Sequence, residues 1–175
     1  IPLAEDTGLI LPLGRWVLET ACRQLSAWAL RPDRHHLTMA VNVSARQFHH
    51  AGFVEQVLGV LEQTGAPAQR LKLELTESLL VKDVEATVGK MTALQALGVR
   101  FSLDDFGTGF SSLSYLEQLN VDRLKIDISF VRQMEQSAGS RRIVETIIQL
   151  GQSLQLELIA EGIEQESQAQ SLTTL

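Results

Sequence analysis

Two adjacent carboxylates, Asp104 and Asp105, stand between a short apolar run and a glycine-rich loop. The run that begins at Phe101 is typical of a buried strand, because apolar residues dominate it and glycines follow at once. Adjacent side chains on a regular strand point to opposite faces, so both carboxylates can serve one site only where the strand gives way to loop. Gly107 and Gly109 permit that change of direction. Taken alone, such a pair is more typical of two solvated loop acids.

The glycine-rich loop ends in serines that are suited to cap a helix. Ser111 or Ser112 could cap it directly, and Ser114 with Glu117 would form a capping box. The sequence therefore predicts a short helix after the loop.

Further polar residues occur near the ends of strand-like segments. They are Asn42, Glu74, Lys125, Glu161 and Glu164. The carboxyl ends of parallel strands meet at one edge of a sheet, which is where α/β folds build their sites. Similar placements on five successive strands favour one shared site over unrelated surface acids.

The segments that carry these residues alternate with helical patterns. Strand-like stretches cover 37–44, 71–77, 101–105, 121–127 and 156–160, and helical patterns cover 8–30, 47–64, 83–97 and 143–154. Residues 1–7 are expected to be irregular, and 137–140 to be mobile. Strands spaced by roughly 25 to 35 residues predict repeated βα units and a parallel sheet.

Composition narrows the function classes. The chain has 175 residues, of which 45% are hydrophobic and 21% charged, with a net charge of -6. Without a long basic run, a groove for DNA or RNA polymers is not expected. The single cysteine, Cys22, excludes an internal disulfide and is expected to be a buried thiol. No apolar run is long enough to span a membrane, so we expect a cytoplasmic domain, although the parent protein could be membrane-anchored.

Carboxylates and an amide without histidine or cysteine form an oxygen ligand set that suits Mg²⁺ or Mn²⁺. Asp104 is the best candidate to bridge two ions. Two neighbouring ions favour in-line displacement at phosphorus. Lys125 would then orient the attacking water, or it could simply form a salt bridge to a neighbouring acid.

Several segments together resemble the EAL domain family of cyclic di-GMP phosphodiesterases. The matching segments are 1–8, 41–44, 74–78, 104–112, 124–127 and 160–164. The resemblance implies a TIM-like (β/α) barrel. It also implies hydrolysis of cyclic di-GMP to linear pGpG with two Mg²⁺ or Mn²⁺ ions.

The resemblance also assigns metal ligands. It implies that Asn42, Glu74 and Asp104 hold one ion. It implies that Asp104, Asp105 and Glu161 hold the other.

The remaining roles come from the same resemblance. Lys125 and Glu161 would position or deprotonate the attacking water, and Glu164 would support the site. Glu77 would anchor the loop 105–112, which couples the site to a dimer interface in relatives. A homodimer is therefore expected.

The chain departs from the family pattern in places. Phe110 stands where tyrosine is also common, and Ile128 where arginine is frequent. The Glu-Ala-Leu motif, expected before Ile1, and a Gln-Gly segment, expected beyond Leu175, are not in the sequence. We therefore expect residues 1–175 to be a single partial domain without its first and last strands, impaired when isolated.

Two function classes are compatible with the sequence. The first is the phosphodiesterase, since every family ligand that falls within the chain is present. The second is a non-catalytic receptor for cyclic di-GMP or a protein-interaction scaffold. In either case sensory or regulatory domains are expected in the parent protein.

Overall fold

The computed structural model describes residues 1–77, 79, 83–109, 116 and 118–175. They form two compact units. One unit comprises Ile1–Leu75 and Lys82–Phe101, and the other comprises Thr76–Val81 and Ser102–Leu175. Each unit is described separately below.

The first part of the chain alternates helices with two strands. The elements are α1 (Pro2–Thr7), α2 (Ile10–Ala29), β1 (Met39–Asn42), α3 (Ala45–His49), α4 (Phe53–Thr64), β2 (Leu71–Thr76) and α5 (Val84–Gln95), with a 3-10 turn at Ala68–Arg70. β1 and β2 pair in parallel, and Asn42 at the end of β1 stands opposite Glu74. Parallel neighbours need a crossover connection, which α3 and α4 supply here.

The core of the first unit is built on one face of α2. Leu18, Cys22 and Leu25 are buried at spacings of four and three, as an inward helix face requires. α2 packs against α4, α3 and β1. Burial raises the pKa of the Cys22 thiol to about 11, so this cysteine is a buried structural thiol, as predicted.

Two sequence-based expectations for this unit are wrong. Residues 1–7 are not irregular but form α1, whose first helical residue is proline, the position at which its missing N–H is tolerated. The predicted single helix over 47–64 is two helices, α3 and α4. The carbonyls of Phe48 and His50, at the end of α3, accept hydrogen bonds from Lys90 Nζ at 2.8 and 2.9 Å. This long-range partner satisfies carbonyls that a continuous helix would have used itself.

The second part of the chain contains three parallel strands. The elements are β3 (Arg100–Phe106), β4 (Arg123–Ile126), α6 (Ile128–Gln133), α7 (Ala138–Ser153), β5 (Glu157–Ala160) and α8 (Glu166–Thr173). β4 pairs in parallel with both β3 and β5. α7 packs on β4 and β5 and buries Val144, Ile147 and Ile148.

The predicted mobile stretch at 137–140 is instead the start of α7. The Ser137 hydroxyl accepts a hydrogen bond from Ser140 N at 3.2 Å and so caps the helix. The sequence patterns also missed α6, which Asp127 caps by accepting from Ser129 N at 2.8 Å.

The predicted capping serines of the glycine-rich loop lie outside the described residues. They are Ser111, Ser112 and Ser114, and Glu117 and Phe110 lie outside as well. Among the helices that the structure does describe, none combines the length and apolarity needed to cross a bilayer.

Candidate metal centre

A bulge in β3 brings its two carboxylates together. The register of β3 against β4 shifts between Leu103 and Phe106, and Asp105 has a positive φ of 53°. Aspartate is one of the few residues besides glycine that tolerate this left-handed conformation. The two carboxylates therefore converge within the strand, not in the loop after it as expected. The extra bulge residue breaks the alternation that would have separated them.

Three carboxylates meet at this end of the second unit. Asp104, Asp105 and Glu161 each offer an oxygen atom, and these atoms lie within 4.8 Å of one another. Asp104 and Asp105 belong to the end of β3, and Glu161 directly follows β5. Oxygen donors at this spacing fit a hard divalent cation.

Lys125 on β4 lies between two of the three acids. Its Nζ is 2.9 Å from Asp104 Oδ1 and 2.6 Å from Glu161 Oε1. The lysine side chain is only 11% exposed and that of Asp104 only 14%. The ion pair considered as an alternative role for Lys125 is thus present, and the water-orienting role stays a prediction.

A fourth carboxylate, Asp127, adjoins the cluster. Burial and the charge of Asp104 raise the pKa of Asp105, and a hydrogen bond with Asp127 adds to the shift. Burial alone would raise the pKa of Asp127, but hydrogen bonds from Ser129 and Asp105 outweigh it and lower the pKa. The sequence-based site did not include Asp127. Its position two residues after Lys125 at a strand end was the signal that could have found it.

The first unit holds its own pair of predicted ligands. Asn42 and Glu74 are register partners at the ends of β1 and β2. Glu74 is buried at 9% exposure. Their assignment to the same ions as Asp104 stays a prediction.

Glu77 contacts the glycine-rich loop. Its Oε2 accepts hydrogen bonds from Gly107 N at 3.0 Å and Gly109 N at 3.1 Å, and its side chain is buried. Gly107 has a φ of 100°, which strongly favours glycine. A cavity of about 300 Å³ lies beside this contact and is also lined by Phe106 and Ile147. Whether Glu77 anchors the loop functionally stays a prediction.

Glu164 is not part of the three-carboxylate cluster. Its side chain is 59% exposed and pairs with Arg132 of α6 at 2.5 Å. Glu164 N donates to Gln168 Oε1 at 2.8 Å, which ties the turn to α8. Its supporting role in the site stays a prediction.

Fold and site together define a class of protein. It is a parallel α/β domain whose strand ends carry clustered carboxylates and a lysine, the placement seen in α/β barrel enzymes. The sequence profile of the EAL domain matches residues 1–175, and the chain belongs to this family. Its sequence is 44% identical over 175 residues to the bifunctional diguanylate cyclase/cyclic di-GMP phosphodiesterase MucR of Pseudomonas aeruginosa. It is 40% identical over 172 residues to the signaling protein YkoW of Bacillus subtilis.

Solved structures agree with this assignment. The MucR phosphodiesterase in complex with cyclic di-GMP matches with a TM-score of 0.93 and 44% identity, covering 99% of this chain and 70% of that one. The EAL domain of Mycobacterium smegmatis DcpA matches with a TM-score of 0.84 and 43% identity, covering 93% and 73%. The predicted family and the α/β fold of the EAL type are confirmed. The chain spans 25% of the length of MucR and 21% of that of YkoW.

Proposed function

We propose that this domain is a metal-dependent phosphodiesterase that hydrolyses cyclic di-GMP to linear pGpG. The observation that carries the proposal is the cluster of Asp104, Asp105 and Glu161 around the buried Lys125. Membership of the EAL domain family and the likeness to a phosphodiesterase bound to cyclic di-GMP support the same substrate.

The proposed ligand sets follow the family pattern. Asn42, Glu74 and Asp104 would hold one cation, and Asp104, Asp105 and Glu161 would hold a second. Mg²⁺ and Mn²⁺ suit these oxygen donors. When bound, two such cations lower the pKa of a water and neutralise charge that develops on the phosphate.

The protein side chains supply orientation and proton transfer. Lys125 and Glu161 would position or deprotonate the attacking water. Lys125 has the required reach, because its Nζ already contacts both Asp104 and Glu161. Glu164 supports the turn that carries Glu161, and Glu77 holds the glycine-rich loop.

The proposal extends to the protein that carries the domain. The chain spans a quarter of the length of MucR, so we propose additional sensory or regulatory domains. We also propose a homodimer, because the glycine-rich loop couples the site to a dimer interface in relatives, and a cytoplasmic location.

Turnover of cyclic di-GMP with Mg²⁺, with Mn²⁺ and with a chelator tests the function. We expect pGpG with either cation, none with the chelator, and none from Asp104→Asn. Binding of cyclic di-GMP without turnover in either metal would favour the receptor instead. The same assay on the 175 residues and on the longer protein tests the expectation that the isolated chain is impaired.

A further inference from the structure

The turn after β5 passes closely over the start of α6. Gly162, in this turn, has a φ of 68°. A Cβ atom at Gly162 would overlap Cγ1 and Cδ1 of Ile128, the first residue of α6. The Ile128 side chain therefore lies directly against the Gly162 backbone.

This contact joins two parts of the candidate metal centre. Gly162 follows Glu161, whose Oε1 is 2.6 Å from Lys125 Nζ. Ile128 follows Asp127, which caps α6 and hydrogen-bonds Asp105. The contact between Ile128 and Gly162 thus connects the turn that carries Glu161 with the helix start beside Asp105.

We propose that Ile128 is a positioning residue: its side chain sets the path of the turn at Gly162 and so places the Glu161 carboxylate beside Asp104 and Asp105. The inference rests on the proposed function, since it assigns Ile128 a role in that metal centre. The aliphatic side chain of Ile128 has no atom that could ligate a cation or transfer a proton.

The physical reason is the freedom of the glycine. Gly162 has access to a wide range of backbone conformations, and it has no side chain that could pack against its neighbours and restrict them. The Glu161 N–H donates to Ile126 O at 3.2 Å, which fixes the turn on one side of Gly162. Ile128 packs on Gly162 itself, so its truncation leaves space into which the turn can move.

The first test is the affinity of the full chain for Mn²⁺, measured by calorimetry without nucleotide. Loss of an outer support of a metal ligand typically costs roughly 10- to 100-fold in affinity, and we expect a loss at the lower end for Ile128→Ala. Ile128→Val keeps Cγ1 and is expected to retain near-native affinity. Val131→Ala, a fully buried truncation in the same helix, is the matched control. It should lower the melting temperature and leave the affinity unchanged.

A double variant tests the contact itself. Gly162→Ala should weaken Mn²⁺ binding strongly in the native background, where its methyl group overlaps Ile128. In the Ile128→Ala background that overlap is gone, so the same change should cost less. Strictly additive losses, or equal losses for Ile128→Ala and Val131→Ala, would overturn the proposal.

Amide hydrogen exchange separates this inference from the proposed function. Ile128→Ala should speed exchange at Glu161 and Gly162, while Ile128→Val should not. If neither the native chain nor the longer protein binds Mn²⁺, the proposed metal-dependent function fails, and exchange still decides whether Ile128 holds the turn. Unchanged exchange in Ile128→Ala would refute the role of Ile128.

Discussion

At the scale of single residues, Lys125 is the cation that the structure places among the clustered carboxylates. It lies within 2.9 Å of Asp104 and 2.6 Å of Glu161, with little exposure to water. Asp105, Asp104 and Glu161 would otherwise repel one another at this spacing. Lys125 offsets part of that repulsion, and a bound divalent cation would offset more.

We therefore expect that Mn²⁺ can restore the stability of the Lys125→Met variant but not its turnover. The variant leaves the largely buried Asp104 carboxylate and the partly exposed Glu161 carboxylate without their cation. Breaking a fully buried pair costs about 3–5 kcal/mol, and we expect a smaller loss here because Glu161 is partly solvated. Added Mn²⁺ should stabilise the variant more than the native chain, because the ion replaces the missing charge. Turnover by the variant should nevertheless be roughly 10²- to 10⁴-fold lower than that of the native chain, because Lys125 no longer acts on the attacking water.

Thermal unfolding with and without Mn²⁺, combined with the turnover assay, checks this prediction. Lys90→Met is the matched control, since Lys90 also makes two short contacts but only with the carbonyls of Phe48 and His50. It should lower the melting temperature without changing the response to Mn²⁺. Native turnover in Lys125→Met would show that the lysine is only an ion-pair partner.

At the scale of elements, the glycine-rich loop and the bulge of β3 are adjoining features. Gly107 and Gly109 present their N–H groups to one carboxylate oxygen of Glu77. Hydrogen bonds from backbone N–H groups to a buried carboxylate are stronger than those to a neutral acceptor. Gly107 and Gly109, the described part of the loop after Asp105, are thereby held by a side chain from another segment of the chain.

Glu77→Ala should release this loop. Hydrogen bonds to a charged group contribute about 1.5–3 kcal/mol each, so we expect a clear loss of stability and faster amide exchange at Gly107 and Gly109. Glu77→Gln keeps a neutral oxygen acceptor and should lie between the native chain and the alanine variant. If Gly107 and Gly109 exchange as slowly in Glu77→Ala as in the native chain, Glu77 does not anchor the loop.

Helix and strand identities were largely predictable, and their boundaries less so. The helical pattern over 8–30 predicted α2 correctly, because apolar periodicity is a local property. The break between α3 and α4 was not predictable, since it involves Lys90, some 40 residues away in the sequence. Likewise, α6 is capped by Asp127, whereas the sequence pattern placed Asp127 in the predicted strand 121–127.

At the scale of the whole molecule, the acidic site makes stability depend on pH and on cations. The pKa of Asp105 is raised above its ordinary value of 3.8, so the folded chain binds this proton more tightly than the unfolded chain does. Stability therefore falls as pH rises from 3.8 through the native pKa of Asp105. Asp127 acts in the opposite sense, because its pKa is lowered, and its contribution is lost as pH falls below 3.8.

We expect Mn²⁺ to reverse the first trend. The ion binds the deprotonated carboxylates, so its stabilising effect should grow as pH rises through the native pKa of Asp105. Melting temperatures measured from pH 3.5 to 7, with and without Mn²⁺, test this directly. The salt concentration is held constant so that screening of the charges does not change across the series. Asp105→Asn should remove the loss of stability that the metal-free chain shows as pH rises. If the variant shows the same loss, other titrating groups cause it.

The sequence by itself determined the family, the alternation of strands and helices, and the residue types at the strand ends. These features depend on local periodicity and on short motifs, both of which are written in neighbouring residues. Only the tertiary structure decided how Asp104 and Asp105 converge, which partner Glu164 takes, and that Ile128 lies against Gly162. Each of these depends on strand register or on packing between segments about 30 residues or more apart, which no local pattern specifies.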